Sequence, residues 1–416
     1  MVRQTWLCKK AKKCVALKVI PNFQTMRVDF QVVEAATEKD LGFDPSSGSS
    51  RGNSTCHHCG TTIKSKPYIQ EEGKAGRIGQ QLMAIVCTTG GEQGKTYLSA
   101  TDYQQYIPDE KAILERLDYL CKETGLTTPD EPVKEWSGVF NAPLYGLNTF
   151  EKLFAPRQLL SLMTFVKWVR NAHQVLLEQG YDEEFAKAIG TYLGLSLDKV
   201  TDLSCSLSRW KSDAEAVVNV FARQALPMMW DFPENVVISG FVGSWQSQYK
   251  RTAEGLLSIQ VFENPANVIR NSSSLIPLES NSLDAIITDP PYFDSVPYAD
   301  LSDFFYVWLK RSIGYLYPEH FSAKLTPKKQ EAIMEPTRHG GNKQKASQAY
   351  QDMMHQAFLE ANRVLKTDGI MVVVYAHKTT MGWSTLIDSL RRAGFIITEA
   401  WPLDTEMGAR LRGQNS

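Results

Sequence analysis

With 416 residues, 43% of them hydrophobic, the chain is long enough for two or three packed domains and too apolar to be disordered. A formal net charge of −1 excludes a polycation, so any contact with nucleic acid has to be local. No apolar run approaches the ~18 residues of a membrane span, no signal-type apolar segment opens the chain, and seven scattered cysteines do not suggest a disulfide framework, all of which fits the cytosol.

Residues 1–108 read as β-rich, with rough period-two alternation over residues 15–20 and 27–33 and a Ser/Gly-rich loop over residues 44–54. The first 28 residues carry seven Lys or Arg and no acid, including Lys9, Lys10, Lys12 and Lys13. This cluster is either a phosphate-contacting patch or a solvated edge. Cys56-His57-His58-Cys59-Gly60 has the form of a zinc knuckle, with a glycine for the tight turn; the alternative is a pair of free thiols. A tetrahedral site needs two more ligands, and Cys8 and Cys14 are too widely spaced to make a good second knuckle. Gly90-Gly91-Glu92-Gln93-Gly94-Lys95-Thr96 imitates the end of a phosphate-binding loop. Thr89 stands where that loop needs glycine, and residues 96–100 read as a strand, so a hairpin is preferred.

Residues 109–263 read as a helical domain. Its expected helices begin at Pro108-Asp109-Glu110 and close at Gly125, then cover residues 156–180, 183–193 and 210–225. Phe165, Trp168, Trp210 and Phe221 fall at helical spacing and read as core. Residues 264–416 alternate strand and helix: strands at 267–270, 284–289, 370–375 and 395–400, helices at 302–311, 350–365 and 383–393. That pattern predicts the second half of a doubly wound, Rossmann-like α/β sheet. The polar stretch 318–345 reads as a mobile loop over the sheet's ligand edge.

The most informative residues are Asp289-Pro290-Pro291-Tyr292, directly after the apolar strand 283–288. Open α/β sheets bind ligands at the carboxyl ends of their strands. An exocyclic amine on a nucleobase is a poor nucleophile because its lone pair is delocalised into the ring. Asp289 can accept one of its N–H groups and the Pro290 carbonyl the other, which turns the lone pair outward. Two prolines hold the loop in one extended shape. Tyr292 offers a stacking face for a base flipped out of its duplex. The competing possibility is a plain Pro-rich turn capped by Asp289. Asp294, Tyr298 and His377 are secondary candidates for contact with the base or backbone, against helix capping and packing.

Asp-Pro-Pro-Tyr after such a strand is the amino-methyltransferase signature, and the run from Thr288 to Arg311 resembles the adenine-specific DNA methylases that contain a zinc ribbon. Further similarity lies in Trp6-Leu7 with its lysines, in the Cys56–Gly60 knuckle, at Tyr145-Gly146, Pro156–Leu159 and Trp230-Asp231, and then at Arg338–Gly341, Asp368-Gly369, Tyr375–Lys378 and Trp401–Asp404. The resemblance thus covers nearly the whole chain. It implies an S-adenosylmethionine-dependent methyltransferase acting on DNA, most readily at adenine N6, with Asp289, Pro290, Pro291 and Tyr292 in the catalytic role. It also implies that Cys56 and Cys59 belong to a zinc ribbon whose other Cys-x-x-Cys precedes Trp6 and lies outside this chain.

A methyltransferase of this kind needs a glycine-rich loop after its first strand to hold the cofactor. Phe241-Val242-Gly243-Ser244-Trp245 is the nearest match, with Trp245 where a second glycine belongs. Arg338-His339-Gly340-Gly341 follows a polar stretch, not a strand. The expectation is therefore a partial enzyme, with the cofactor-binding part outside this sequence, on a separate chain if the gene is split. The tetrapeptide itself does not choose between adenine and cytosine N4, nor between DNA and RNA. The rival from another class is a non-catalytic nucleic-acid-binding module with a vestigial methylase half.

Overall fold

The computed structural model describes residues 5–46, 53–88, 94–136, 139–221, 224–259, 266–293, 296–377 and 379–403. The chain is mixed α/β with small sheets, and it divides into two compact units: Met1–Val261 with Asp300–Thr326, and Phe262–Ala299 with Pro327–Ser416. Residues 1–108 and all but the last two residues of 109–263, expected as separate domains, thus fall in one unit, joined by residues 300–326 of the expected C-terminal part.

The first unit opens with an antiparallel sheet, β1 (Trp6–Lys10), β2 (Lys13–Asn22) and β3 (Arg27–Ala35), in that order. A hairpin of β4 (Asn53–Thr55) and β5 (Thr62–Lys64) follows, then α1 (Ser65–Lys74) and a second hairpin of β6 (Ala84–Cys87) and β7 (Thr96–Ser99). Helix α2 (Glu110–Thr124) starts where Asp109 accepts the Ala112 N–H at 3.2 Å, and ends at Gly125 with φ 66°. A side-chain acceptor for an orphan N–H and a left-handed residue after the last turn are ordinary helix boundaries. Helix α3 (Pro156–Glu178) begins on a proline, and α4 (Glu183–Leu203) begins at Asp182, whose side chain accepts the Phe185 N–H. These two helices bury Leu162, Met163 and Val166 of one and Leu197 and Val200 of the other.

The helix expected over 210–225 is absent. Residues there form a hairpin, β8 (Arg209–Lys211) and β9 (Ala216–Val218), with Glu215 at φ 49° in its turn. Tertiary contacts outweigh helix propensity here. Trp210 Nε1 donates to the Leu7 carbonyl at 2.7 Å, and the buried Glu215 carboxylate accepts from Lys10 and from the Tyr97 hydroxyl. Helix α5 (Trp245–Ile259) closes this stretch. Beyond the second unit's strand β10 (Leu283–Thr288), α6 (Tyr298–Ser312) runs back into the first unit from Asp300 onward. There Trp308 is fully buried, edge-on to Phe154 at 5.2 Å. Gly194 of α4 leaves room for Ile313, just past the end of α6: a Cβ on it would lie 2.8 Å from Ile313 Cγ2. Arg311, also buried, binds Glu131 at 3.1 Å and the carbonyls of Thr127 and Thr128.

The second unit pairs β10 in parallel with β11 (Leu365–Val373), joined through α7 (Lys343–Val364) and followed by α8 (Thr380–Arg392). Tyr350, Met354 and Phe358 recur every four residues on α7. With Leu386 and Leu390 of α8 they form a core on which Met371 and Val373 pack. That side of the sheet is covered. Ile287 and Ile370, on the other side, are 78% and 67% exposed. The expected strands at 267–270 and 395–400 are not formed. Residues 395–400 have apolar content suited to a strand but pair with no other strand among the described residues, and a ladder needs a partner. The Rossmann-like half sheet expected from the sequence is therefore one parallel pair among the described residues.

Candidate functional site

The last ladder bond of the parallel pair runs from the Val374 N–H to the Thr288 carbonyl, 2.9 Å. Beyond it the chain leaves the carboxyl end of β10 as Asp289-Pro290-Pro291-Tyr292. Proline has no N–H to extend the ladder and fixes φ, so the strand ends there and a stiff loop begins. Asp289 is exposed, Pro290 is buried, and Pro291 and Tyr292 are half-buried.

Three contacts pin this loop. Phe293, 4% exposed, stands edge-on to Tyr350 at 5.1 Å in the α7–α8 core. The Tyr350 hydroxyl donates to the Pro291 carbonyl at 2.7 Å, and the Met334 N–H donates to the Phe293 carbonyl at 2.8 Å. The Pro290 carbonyl accepts no hydrogen bond among the described residues. The Tyr292 ring packs against Tyr375 at 5.1 Å and 77°. Burial, and then the hydrogen bond its hydroxyl gives to Asp289, push the Tyr292 phenol up to about 12. At neutral pH Tyr292 is therefore a donor and Asp289 its acceptor. The loop is held by groups the tetrapeptide does not contain, and its carboxylate is left facing outward.

His377 lies beyond the end of β11, on the same edge. Its ring is 6.0 Å from Phe293 and nearly parallel to Tyr375 at 6.2 Å. Tyr298, exposed at the start of α6, is close enough to Tyr292 to raise its pKa further. Asp294 lies outside the described residues. The stretch expected to be a mobile loop over the site is folded back over its second-unit part. Glu331 accepts the Ala299 N–H at 2.8 Å and pairs with Arg338 at 2.6 Å, while Arg338 also donates to the Lys328 carbonyl. Two largely buried opposite charges with several hydrogen bonds fix this segment, which its polar composition alone did not reveal.

Phe293, Tyr350, Tyr375 and Glu331 were not among the residues expected at the site. The apolar repeat along α7 was a usable signal for Tyr350 as core. Nothing marked its hydroxyl as the partner of a proline carbonyl.

In the first unit, Cys56 and Cys59 sit on the tight turn between β4 and β5. The Cys56 N–H donates to the Thr61 carbonyl and the Gly60 N–H to the Cys56 carbonyl, each at 2.9 Å, with Gly60 at φ 71°. The Thr61 hydroxyl, then its N–H and the Cys56 thiol, hold the Cys59 thiol below its ordinary range. Cys8 and Cys14 are buried in two different apolar clusters, one with Val15 and Tyr97, the other with Ala16 and Leu41. No group of three or more His, Cys, Asp or Glu side chains gathers for a metal among the described residues, so these residues do not complete a zinc shell.

Three lysines of the cluster have partners within the protein. Lys9 pairs with Glu38 at 3.0 Å, Lys10 with Glu215, and Lys13 donates to the Lys95 carbonyl at 2.7 Å. An unpaired phosphate-binding patch is not what these three side chains form. Lys95 caps the Trp210 ring at 4.9 Å and donates to the Glu215 carbonyl. It belongs to the β6–β7 hairpin expected there, and residues 89–93 of the glycine-rich stretch lie outside the described residues. Phe241–Trp245 precedes α5 and follows no strand. Gly243 abuts the Asn235 amide, where a Cβ would come within 2.4 Å, and Trp245 stacks on Phe165 at 4.8 Å. Gly243 and Ser244 are buried while Phe241 and Val242 are exposed, and the segment does not form the strand-to-helix glycine turn expected of a cofactor loop.

Against protein-family models, curated proteins and solved structures, the chain finds no match. No helix among the described residues is long and apolar enough to cross a membrane.

Proposed function

We propose that the second unit grips the exocyclic amine of a flipped nucleobase, as the base-binding part of an S-adenosylmethionine-dependent DNA methyltransferase. The observation that carries this reading is the pinned corner after β10: Phe293, Tyr350 and Met334 hold the loop, while Asp289 is exposed at its rim. The Asp289 carboxylate accepts one N–H of the amine and the Pro290 carbonyl the other. With both protons held, the nitrogen lone pair leaves conjugation and points away from the protein. The Tyr292 hydroxyl, hydrogen-bonded to Asp289, keeps the carboxylate oriented. These groups act by fixed position and local dipoles, and nothing in the corner has to rearrange when the base arrives.

S-adenosylmethionine would supply the methyl group. The Phe241–Trp245 segment follows no strand and forms no glycine turn for it, so its site is proposed to lie on a separate chain. Adenine N6 is the proposed target, on the resemblance of the Thr288–Arg311 run to the zinc-ribbon adenine methylases. Cys56 and Cys59 are proposed as half of that ribbon, the remaining ligands coming from elsewhere, and the cytoplasm as the compartment.

The test is binding of the full chain to a fluorescent duplex carrying one bulged adenine, compared with the same duplex carrying an abasic site. Preference for adenine, lost roughly tenfold or more in Asp289→Asn, is expected, since a hydrogen bond to a charged acceptor contributes about 1.5–3 kcal/mol. Equal affinity for both duplexes, unchanged by the substitution, would remove Asp289 from base recognition.

A further inference from the structure

We propose that a cleft beside β3 in the first unit binds the phosphodiester backbone of nucleic acid, with Arg27 as the cation that pairs with one phosphate. The proposal rests on the reading that this chain binds nucleic acid, and it adds a second site that contributes affinity and leaves the choice of base to the second unit.

The cleft has a volume of about 510 Å³ and lies along the first residues of β3, between that strand and the segments that precede β6 and follow β7. Two hydrogen bonds fix its walls to one another. Gln81 Nε2 donates to the Val28 carbonyl at 2.8 Å, and the Val32 N–H donates to the Ser99 hydroxyl at 3.0 Å. Phe30 and Ala100, 4% and 2% exposed, form its apolar base. The cleft is therefore built into the fold of the first unit.

Arg27 is exposed at the start of β3, and its guanidinium makes no hydrogen bond or ion pair among the described residues. In this it differs from Lys9, Lys10 and Lys13 of the same N-terminal run of cations. Asp29, the acid that lines the cleft, is engaged elsewhere: its Oδ2 accepts from Asn22 Nδ2 at 3.0 Å. Asn22 Oδ1 accepts the N–H groups of Gln24 and Thr25, each at 3.1 Å, so the turn between β2 and β3 holds that amide on Asp29. Thr25, Thr101 and Gln104 add two hydroxyls and an amide, none of them hydrogen-bonded among the described residues. A guanidinium fork with hydroxyls and an amide is the donor set that meets phosphate oxygens on a nucleic-acid backbone. Charge selects the kind of phosphate. With the Asp29 carboxylate in the same cleft, Arg27 matches the single negative charge of a phosphodiester, and the second charge of a free or terminal phosphate is repelled.

The probe is the fluorescent duplex with one bulged adenine and its abasic counterpart, bound by the full chain between about 50 and 200 mM NaCl. Arg27→Gln should weaken both duplexes by the same factor, roughly eightfold at 0.1 M salt, and should reduce the slope of log affinity against log salt by about 0.9, the contribution of one phosphate contact. Arg27→Lys, which keeps the charge, should keep the slope. An unchanged slope in Arg27→Gln, with or without a loss of affinity, overturns the proposal; if the preference for adenine persists beside it, the amine-holding corner survives. A native chain that shows no preference for adenine, yet loses slope in Arg27→Gln, sinks the corner and keeps the cleft. A native chain that binds neither duplex sinks both. Displacement of the duplex by inorganic phosphate, beyond that by chloride at the same ionic strength, would make this a site for free phosphate and overturn its assignment to the backbone.

Discussion

Replacing Phe293 by alanine takes away the wedge that seats the Asp289–Tyr292 corner in the second unit. The ring is 4% exposed and stands edge-on to Tyr350 at 5.1 Å and to His377 at 6.0 Å. Burial of a phenyl side chain contributes about 2–3 kcal/mol. Each edge-to-face ring pair adds about 0.5–1.5 kcal/mol. The expected loss is about 3–5 kcal/mol, in the range measured for buried Phe→Ala changes elsewhere. The chain has two units, so a single global midpoint would mix their transitions. Native-state hydrogen exchange under increasing urea, read on peptides from β10 and β11, isolates the second unit. With a urea dependence of about 2 kcal/mol per molar, opening should occur roughly 1.5–2.5 M earlier. Peptides from β2 and β3 should be unaffected. Phe293→Leu, which keeps most of the volume, should cost less than about 1.5 kcal/mol. A loss below about 1 kcal/mol in Phe293→Ala would refute the reasoning, because the loop would then not be anchored by its ring.

Three further outcomes follow from buried charges in the first unit. Burial alone would raise the Glu215 carboxyl, but its hydrogen bonds from Lys10 and Tyr97 outweigh that and hold it below the ordinary 4.5. A depressed carboxylate stabilises above its unfolded value and loses that stabilisation as pH falls. Glu215→Gln should therefore cost about 1.5–3 kcal/mol near neutrality, with the gap closing below pH ~4.5 in a urea titration; a pH-independent gap would contradict this. Asp198 is buried with no hydrogen-bond partner on Oδ1 among the described residues, and desolvation pushes its carboxyl well above the ordinary 3.8. A raised group loses stability as pH climbs, so Asp198→Asn should melt higher than the native chain, by a margin that grows from acid towards neutral pH. A lower melting temperature for Asp198→Asn at pH 7 would show that the carboxylate has a partner after all. Arg311→Met strands the buried Glu131 and should cost about 3–5 kcal/mol, largely recovered by adding Glu131→Leu; a double variant as unstable as the single one would place the cost elsewhere.

Local chemistry was legible where the deciding interactions are close in sequence. The Asp109 cap and Gly125 stop bracket α2 within 17 residues, and the Pro156 start of α3 needs only its own missing N–H. The end of β10 at Asp289 follows in the same way from two prolines. The hairpin of β8 and β9 was not legible, because its turn depends on Glu215 reaching Lys10, 205 residues away in sequence. Residues 395–400 failed in the opposite direction: their pattern suits a strand, but a strand also needs a partner backbone. The candidate site divides along the same line. By itself the sequence determined that an acid, two prolines and an aromatic end a parallel strand, since covalent geometry and periodicity suffice for that. Only the tertiary structure decided that Phe293 and Tyr350 pin this loop, that Lys9, Lys10 and Lys13 have partners within the protein, and that the His377 ring lies against Gly382 of α8. Those outcomes depend on side chains meeting across long loops, and the energy of such meetings is not written in any short stretch of the chain.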